Sequence, residues 1–284
     1  MAKGIDALVI NEDTTKSVGL WKHARTSVAM VYMSPEMALS PSFQKLWKDS
    51  HFRTCITAIV VDEAHCIAEW GGEDFRPTYC MLETLRSYTG QEIPIVACTA
   101  TCPTKTFDII WSTLGYGFCP FWGLNVGSDW PNLLYITQIL ENPKNPLLNI
   151  LKLLPDDLTT KSPQDTIPKC IFYFDSEDAC RKVVQLLCKC LPEHLCKCIH
   201  AFSSNLSVLA KLQCWQLFLN GEFRIICATN AAGMGCNVSD VKYIVIFGLT
   251  KSLVTISQCW GRAGCDRTTE GVCLWLVPKW AFQP

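Results

Sequence analysis

The sequence predicts an α/β protein built as two parallel-sheet lobes in tandem. Three observations carry that prediction. Short runs of apolar and β-branched residues recur along the chain, each too uniformly apolar for a half-solvated antiparallel strand. Stretches of helical character separate them, the pattern of parallel strands joined by helical crossovers. Between Gly115 and Pro131 this rhythm gives way to Gly, Pro, Asn and aromatic residues, then resumes.

In the first half, Gly4 to Asn11 reads as a strand, and further strands are expected over Val28 to Met33, Cys55 to Val61 and Ile93 to Cys98. Helices are expected over Ser42 to Lys48 and Tyr79 to Tyr88. The irregular stretch reads as a linker, with lobes at 1–125 and 126–284. The second half predicts strands at Lys169 to Phe174, Cys198 to Ala201, Arg224 to Ala228, Tyr243 to Phe247 and Gly271 to Val277. Helices are expected over Ser176 to Cys190 and Val208 to Leu219. The polar, proline-punctuated Pro155 to Pro168 reads as a surface loop.

A chain of 284 residues is long enough to bury a sizeable core. The net charge of −1 neither supports nor excludes a nucleic-acid partner, because a local basic surface can coexist with overall neutrality. No apolar run of the length a membrane helix needs is present, and no signal-peptide pattern opens the chain. An intracellular protein is expected, and no membrane partner. The 18 cysteines lack the spacing of a secreted disulfide framework. Many, such as Cys55, Cys98, Cys170 and Cys227, sit in apolar runs, where a thiol packs as a small hydrophobe. Cys188, Cys190, His194, Cys196, Cys198 and His200 form a denser cluster. It reads either as reduced structural thiols or as a zinc site, although its Cys-x-Cys pairs depart from zinc-knuckle spacing.

The strongest chemical signal runs from Thr57 to His65. An apolar strand delivers Asp62 and Glu63 at its C-terminal end, where open parallel sheets bind ligands. A carboxylate there suits Mg²⁺ carried by a nucleotide, and a second carboxylate suits polarisation of an attacking water. After it, Cys66 to Tyr79 gathers Trp70, Phe75, Arg76 and Tyr79, that is, aromatic faces able to stack on bases beside a guanidinium able to hold a phosphate. Trp70 and Phe75 are equally residues that anchor cores.

These segments resemble the RecQ-like DEAH-box DNA helicases of superfamily 2. Asp62-Glu63-Ala64-His65 matches the DEAH box, and Trp70 to Tyr79 the aromatic-rich loop that follows it. In order along the chain, Ser34-Pro35-Glu36 resembles the family's Ser-Pro-Glu motif, and Thr99-Ala100-Thr101 its Thr-Ala-Thr motif. Ile171 to Ser176 is similar to the strand opening the second lobe. Ile199-His200-Ala201 matches Tyr-His-Ala at two positions, and Thr229 to Gly235 matches Thr-x-x-x-Gly-Met-Gly. Gln258 to Arg267 resembles Gln-x-x-Gly-Arg-Ala-Gly-Arg-Asp. The likeness covers nearly the whole chain.

The resemblance implies two RecA-like lobes, the first without its phosphate-loop strand and helix. It implies an ATP-dependent 3′-to-5′ DNA helicase core in DNA repair and recombination, located in the nucleus, with ATP and Mg²⁺ as cofactors and single-stranded or forked DNA as partner. Protein partners are not indicated. On this reading Asp62, Glu63, His65, Gln258 and Arg262 are catalytic. Asp62, Glu63, Gly235 and Arg262 bind the nucleotide, with Asp62 holding Mg²⁺ through water. Ser34, Trp70, Phe75, Arg76, Thr99, Thr101, His200 and Thr229 are the nucleic-acid contacts.

Three departures qualify it. Gly72-Glu73 stands where the family commonly has one residue. The family's Gly-x-x-x-x-Gly-Lys-Ser/Thr loop is absent, no Gly-Lys pair occurs, and the chain is expected to begin downstream of that loop. Cys265 occupies the position of an arginine-finger candidate, leaving Arg262 and Arg267 nearby. The chain also stops at Pro284, before the zinc-binding and winged-helix region usual in the family. An alternative reading therefore stands beside the motor, that of a helicase remnant without catalysis that binds single-stranded DNA or a partner protein.

Overall fold

A computed structural model of the chain describes residues 4–282 except 18, 27, 72–74, 91, 119, 128, 142–144, 204, 230–237 and 251. It divides into two compact units, Met1–Gly127 and Ser128–Pro284.

The first unit runs β1 (Ala7–Ile10), α1 (Leu20–Thr26), β2 (Met30–Met33), α2 (Pro35–Ala38), α3 (Pro41–Trp47), α4 (Ser50–Cys55), β3 (Ile59–Val61), α5 (Cys66–Trp70), α6 (Thr84–Thr89), β4 (Ile95–Ala97) and α7 (Thr104–Thr113). β1 pairs with β2 and β3 with β4, both parallel. Ile10, Val61 and Ile95 point into a core shared with Phe43, Leu46, Trp47, Phe52 and Ile67. The alternate residues face outward, with Val9, Tyr32 and Val60 each more than half exposed. Parallel strands ordinarily bury both faces; those of this unit bury one.

Two expectations change here. Cys55 closes a helix instead of opening a strand, because Asp49 caps α4 by accepting from the amides of His51 and Phe52 and turns Phe52 into the core. The helix expected over Tyr79 to Tyr88 is split into a 3-10 turn at Pro77–Met81 and then α6. Pro77 starts that turn, and the Arg76 amide, bonded to the Trp70 carbonyl, fixes where it begins.

The second unit runs β5 (Leu133–Ile139), β6 (Cys170–Phe174), α8 (Glu177–Cys190), β7 (Ile199–Phe202), α9 (Val208–Leu219), β8 (Ile225–Thr229), β9 (Tyr243–Phe247), α10 (Leu253–Trp260) and β10 (Gly271–Val277). Its strands form one parallel sheet in the order β5-β10-β9-β6-β8-β7. Here both faces are covered. Phe172, Cys227 and Val245 pack with Val183 and Leu187 of α8 on one side. Ile171, Ile226 and Ile244 pack with Phe218 of α9 and Ile256 of α10 on the other. β5, an edge strand that the sequence pattern does not predict, is half-exposed along its length.

Burial pushes the thiols of Cys66 and Cys259 up to about 12. Among the described residues no trio of His, Cys, Asp or Glu is placed to hold a metal ion. In the cluster that admitted zinc, His194 Nε2 lies 2.8 Å from the Ser162 carbonyl, and the His200 ring stacks on Phe223. The Cys198 thiol bonds the Leu195 carbonyl. These three groups have partners within the second unit. No helix among the described residues is long and apolar enough to cross a membrane.

Candidate nucleotide site and nucleic-acid interface

β3 and β4 place the first group of functional side chains at their shared C-terminal edge. The Cys98 amide donates to the Val61 carbonyl and the Ala64 amide to the Cys98 carbonyl, each at 2.9 Å, so the two strands emerge locked in register. Asp62 is exposed there, and its Oδ1 accepts from the Glu63 amide at 2.9 Å. Glu63 has φ of 48°, a left-handed conformation that non-glycine residues seldom adopt. Such strain persists where the surroundings impose it, and sites are where it collects. The turn carries the Glu63 carboxylate to 3.4 Å from Nδ1 of His65.

His65 is buried, with Nδ1 3.1 Å from Thr99 Oγ1. The Thr99 hydroxyl donates to the Thr101 carbonyl at 3.0 Å and accepts from the Thr101 amide at 3.3 Å. Nδ1 of His65 faces both the Thr99 hydroxyl and the Glu63 carboxylate. The DEAH segment and the Thr-Ala-Thr segment are thus joined by hydrogen bonds from His65 through Thr99 to Thr101, with the Glu63 carboxylate in contact at the His65 end. Thr101 itself is buried, and among the described residues its hydroxyl has no partner.

α5 leads directly from His65 to Trp70. The Trp70 ring meets Phe75 at 5.9 Å and Tyr79 at 5.8 Å, both edge to face. The Arg76 guanidinium lies 4.7 Å over Tyr79 and 5.6 Å over Trp70. It also grips Glu36, Nε to Oε1 at 2.9 Å and Nη2 to Oε2 at 2.7 Å, and Nη1 donates to the Tyr79 hydroxyl at 3.2 Å. The Arg76 bond holds the Glu36 carboxyl well below the usual range, at about 2. Phe75, 69% exposed, offers the open ring of the set. Gly71 is tightly enclosed, since a Cβ there would lie 2.4 Å from the Ile67 carbonyl and 2.5 Å from the Cys80 sulfur. Ser34 is exposed, and its hydroxyl caps α2 by accepting from the Met37 amide at 3.4 Å.

In the second unit, Gln258 and the half-buried Arg262 stand at the end of α10 and in the turn after it. That turn is pinned from the residue before β5, because Asn132 Nδ2 donates to the carbonyls of Gly264 and Thr269 at 2.9 Å each. Gly264 has φ of +52°, and a Cβ there would lie 2.6 Å from Asn132 Nδ2. Asp266 accepts from the amides of Thr268 and Thr269 and from the Thr269 hydroxyl, and these bonds hold its carboxyl below the usual range. Cys265 bonds the Gly261 carbonyl at 3.3 Å. Arg267 stacks over Trp130 at 5.4 Å. His200 is half-buried with one face on Phe223 at 4.8 Å, and burial lowers its basicity. Thr229 is half-buried at the end of β8; Gly235 lies outside the described residues.

The structure therefore brings Asp62, Glu63, His65, Thr99 and Thr101 together, and separately Trp70, Phe75 and Arg76. Sequence reasoning passes over Glu36 as the partner of Arg76 and Asn132 as the pin of the Gly264 turn. The Pro131-Asn132 pair directly before an apolar run is the available signal for the second.

Two family models match the chain, "DEAD/DEAH box helicase" over residues 3–109 and "Helicase conserved C-terminal domain" over residues 150–267. The RecQ-like DNA helicase blm-1 of Caenorhabditis elegans is 28% identical over 84% of this chain and 23% of its own length. The ATP-dependent DNA helicase RecQ of Pasteurella multocida is 28% identical over 98% of this chain and 41% of its own. The chain belongs to the RecQ-like helicases of superfamily 2. This RecQ-like chain spans less than half the length of these two relatives.

Solved structures share its fold at low identity. The helicase MrfA bound to DNA superposes with a TM-score of 0.68 at 14% identity, covering 98% of this chain and 38% of MrfA. S. cerevisiae Dbp5 bound to RNA and ADP BeF3 gives 0.64 at 13%, covering 97% and 64%. Both units of the RecQ-like chain are therefore read as RecA-like.

The donor set at β3 suits Mg²⁺. This ion takes hard oxygen ligands, commonly one or two carboxylates with the remainder water, and the exposed Asp62 carboxylate qualifies as one of them.

Proposed function

We propose that this chain is the motor core of an ATP-dependent 3′-to-5′ DNA helicase, coupling nucleotide hydrolysis to movement on single-stranded DNA and acting on forked substrates in repair and recombination in the nucleus. The observation that carries the reading is the chain of polar contacts Glu63–His65–Thr99–Thr101, which passes through the residue directly ahead of the helix that ends at Trp70. Membership of the RecQ-like family supports it.

ATP with Mg²⁺ supplies the free energy, through loss of its γ-phosphate to water. In this assignment Asp62 would hold the metal through water and Glu63 would orient the attacking water. His65 holds Glu63 in place and connects it to Thr99. Gln258, Arg262 and Gly235 are assigned to the nucleotide, and Arg262 would stabilise the negative charge of the phosphoryl-transfer transition state. Trp70 and Phe75 stack on bases, Arg76 takes a phosphate, and Ser34, Thr99, Thr101, His200 and Thr229 complete the strand-binding set. Since Thr101 is buried and His200 stacks on Phe223, those two act by shaping backbone around them.

A second reading has its own support. The absent Gly-Lys pair and Cys265 in the finger position favour a chain that binds single-stranded DNA without turning over ATP. One assay separates them. The motor predicts ATP-dependent strand separation of a 3′-tailed duplex and none of a 5′-tailed one. Binding of oligodeoxythymidylate with no strand separation and no phosphate release selects the second reading. Absence of both binding and strand separation rejects the two together.

A further inference from the structure

We propose that Glu36 is a latch on the DNA-gripping arginine, holding Arg76 while the strand is absent and yielding it to a backbone phosphate when single-stranded DNA arrives. The proposal rests on the reading of the aromatic loop as a strand-binding element.

The geometry is that of an exchangeable pair. Arg76 meets Glu36 with Nε and Nη2 on two different carboxylate oxygens, at 2.9 and 2.7 Å. A guanidinium fork fits two oxygens of a phosphate in the same parallel fashion, so one partner can replace the other without a new side-chain orientation. The rings of Tyr79 and Trp70 lie under the guanidinium and keep it aimed while the partner changes. Solvent reaches both sides of the pair: the Arg76 side chain is 28% exposed and that of Glu36 43%. Phe75, the neighbour of Arg76, presents the most open ring of the loop to an incoming base.

The Ser34 hydroxyl, at the head of α2, is engaged in capping, so Glu36 is the group through which that helix meets the arginine. Glu36 remains charged throughout the physiological pH range, since Arg76 holds its carboxyl at about 2. The latch therefore opens by competition between anions rather than by protonation. In the bare chain the pair withholds one cation from the backbone, so strand binding is weaker and less salt-dependent than a free Arg76 would make it.

The test is fluorescence anisotropy with labelled oligodeoxythymidylate across a salt series, on the full chain and its variants. E36Q is expected to bind several-fold tighter than wild type. Its log K against log salt should be steeper by about 0.7, the increment for one more phosphate neutralised on a single strand. R76Q is expected to bind more weakly, and adding E36Q to R76Q should change nothing. Unchanged or weaker binding by E36Q overturns the latch, as does tightening that persists in the R76Q background, which marks simple charge repulsion. If wild type itself does not bind the oligonucleotide, the strand-binding reading fails and the latch with it. Should E36Q lose the cooperative thermal transition of wild type, E36A replaces it. E36A also removes the carboxylate and leaves the Arg76 fork intact, so the same tightening and steeper slope are expected of it; their absence overturns the latch equally.

Discussion

Nδ1 of His65 sits 3.1 Å from Oγ1 of Thr99, joining the turn after β3 to the turn after β4 through a buried imidazole. The same ring nitrogen lies 3.4 Å from the Glu63 carboxylate, so the imidazole touches both motifs. Removing the contact should cut the communication between DNA binding and nucleotide hydrolysis. H65A and T99V are therefore expected to lower the stimulation of ATP hydrolysis by DNA by roughly tenfold, within the range typical of site-to-site coupling. Steady-state phosphate release with and without oligodeoxythymidylate measures it. Full stimulation in both variants would contradict the role given to this contact.

Phe75 should contribute to binding and little to folding, being 69% exposed. Loss of one base stack is worth about 1–3 kcal/mol, so F75A is expected to weaken oligonucleotide binding by at least about fivefold. Its thermal midpoint should match that of wild type. Anisotropy and calorimetry on the same preparations check the pair of statements.

Gly264 offers a stability prediction. With φ of +52° and Asn132 Nδ2 only 2.6 Å from where a Cβ would stand, the position has no room for a side chain. G264A is expected to cost about 1–3 kcal/mol, by backbone strain and displacement of Asn132. In a domain of this size, each kcal/mol lowers the thermal midpoint by about 2–4 °C. A midpoint equal to wild type would mean that the Asn132 pin is dispensable.

Glu36 titrates with a definite sign. Its folded-state carboxyl is depressed to about 2 by Arg76, so the pair contributes stability fully above the ordinary glutamate range. That contribution is lost as pH falls from the unfolded-state value through about 2. The stability difference between wild type and E36Q should stay constant at neutral pH and shrink on acidification. Chemical denaturation at a series of pH values reads it, and a difference that grows in acid would refute the assignment.

The outward face of the first unit's strands carries its own consequence. Val60 is 61% exposed and Val96 42%, side by side on paired strands. Exposed apolar surface of this kind binds hydrophobic dyes and promotes association. V60T/V96T is expected to reduce dye fluorescence and increase the soluble fraction, measured by dye titration and light scattering.

Much of the second unit is legible in the sequence because burial there is complete. The runs Tyr243–Phe247 and Gly271–Val277 and the helix Val208–Leu219 fold with the bounds their composition suggests. β5 is hard to see because an edge strand carries a mixed pattern, with Leu134 and Tyr135 exposed between half-buried neighbours. Cys55 reads as strand because an apolar composition cannot show that Asp49 starts a helix ahead of it. The DEAH and Thr-Ala-Thr segments are readable as motifs, but their joining through His65 depends on the register of β3 with β4. The Glu36–Arg76 pair spans 40 residues and exists only because α2 packs against the turn at Pro77–Met81. Local pattern contains no trace of it.

Whether the carboxylates after β3 turn over ATP in response to DNA is the point on which the functional assignment stands. Phosphate release by wild type and by E63Q, each with and without single-stranded DNA, tests it most directly. Release by wild type should rise when DNA is added, and release by E63Q should stay at background in both conditions. Equal release from the two proteins, or wild-type release indifferent to DNA, would contradict it.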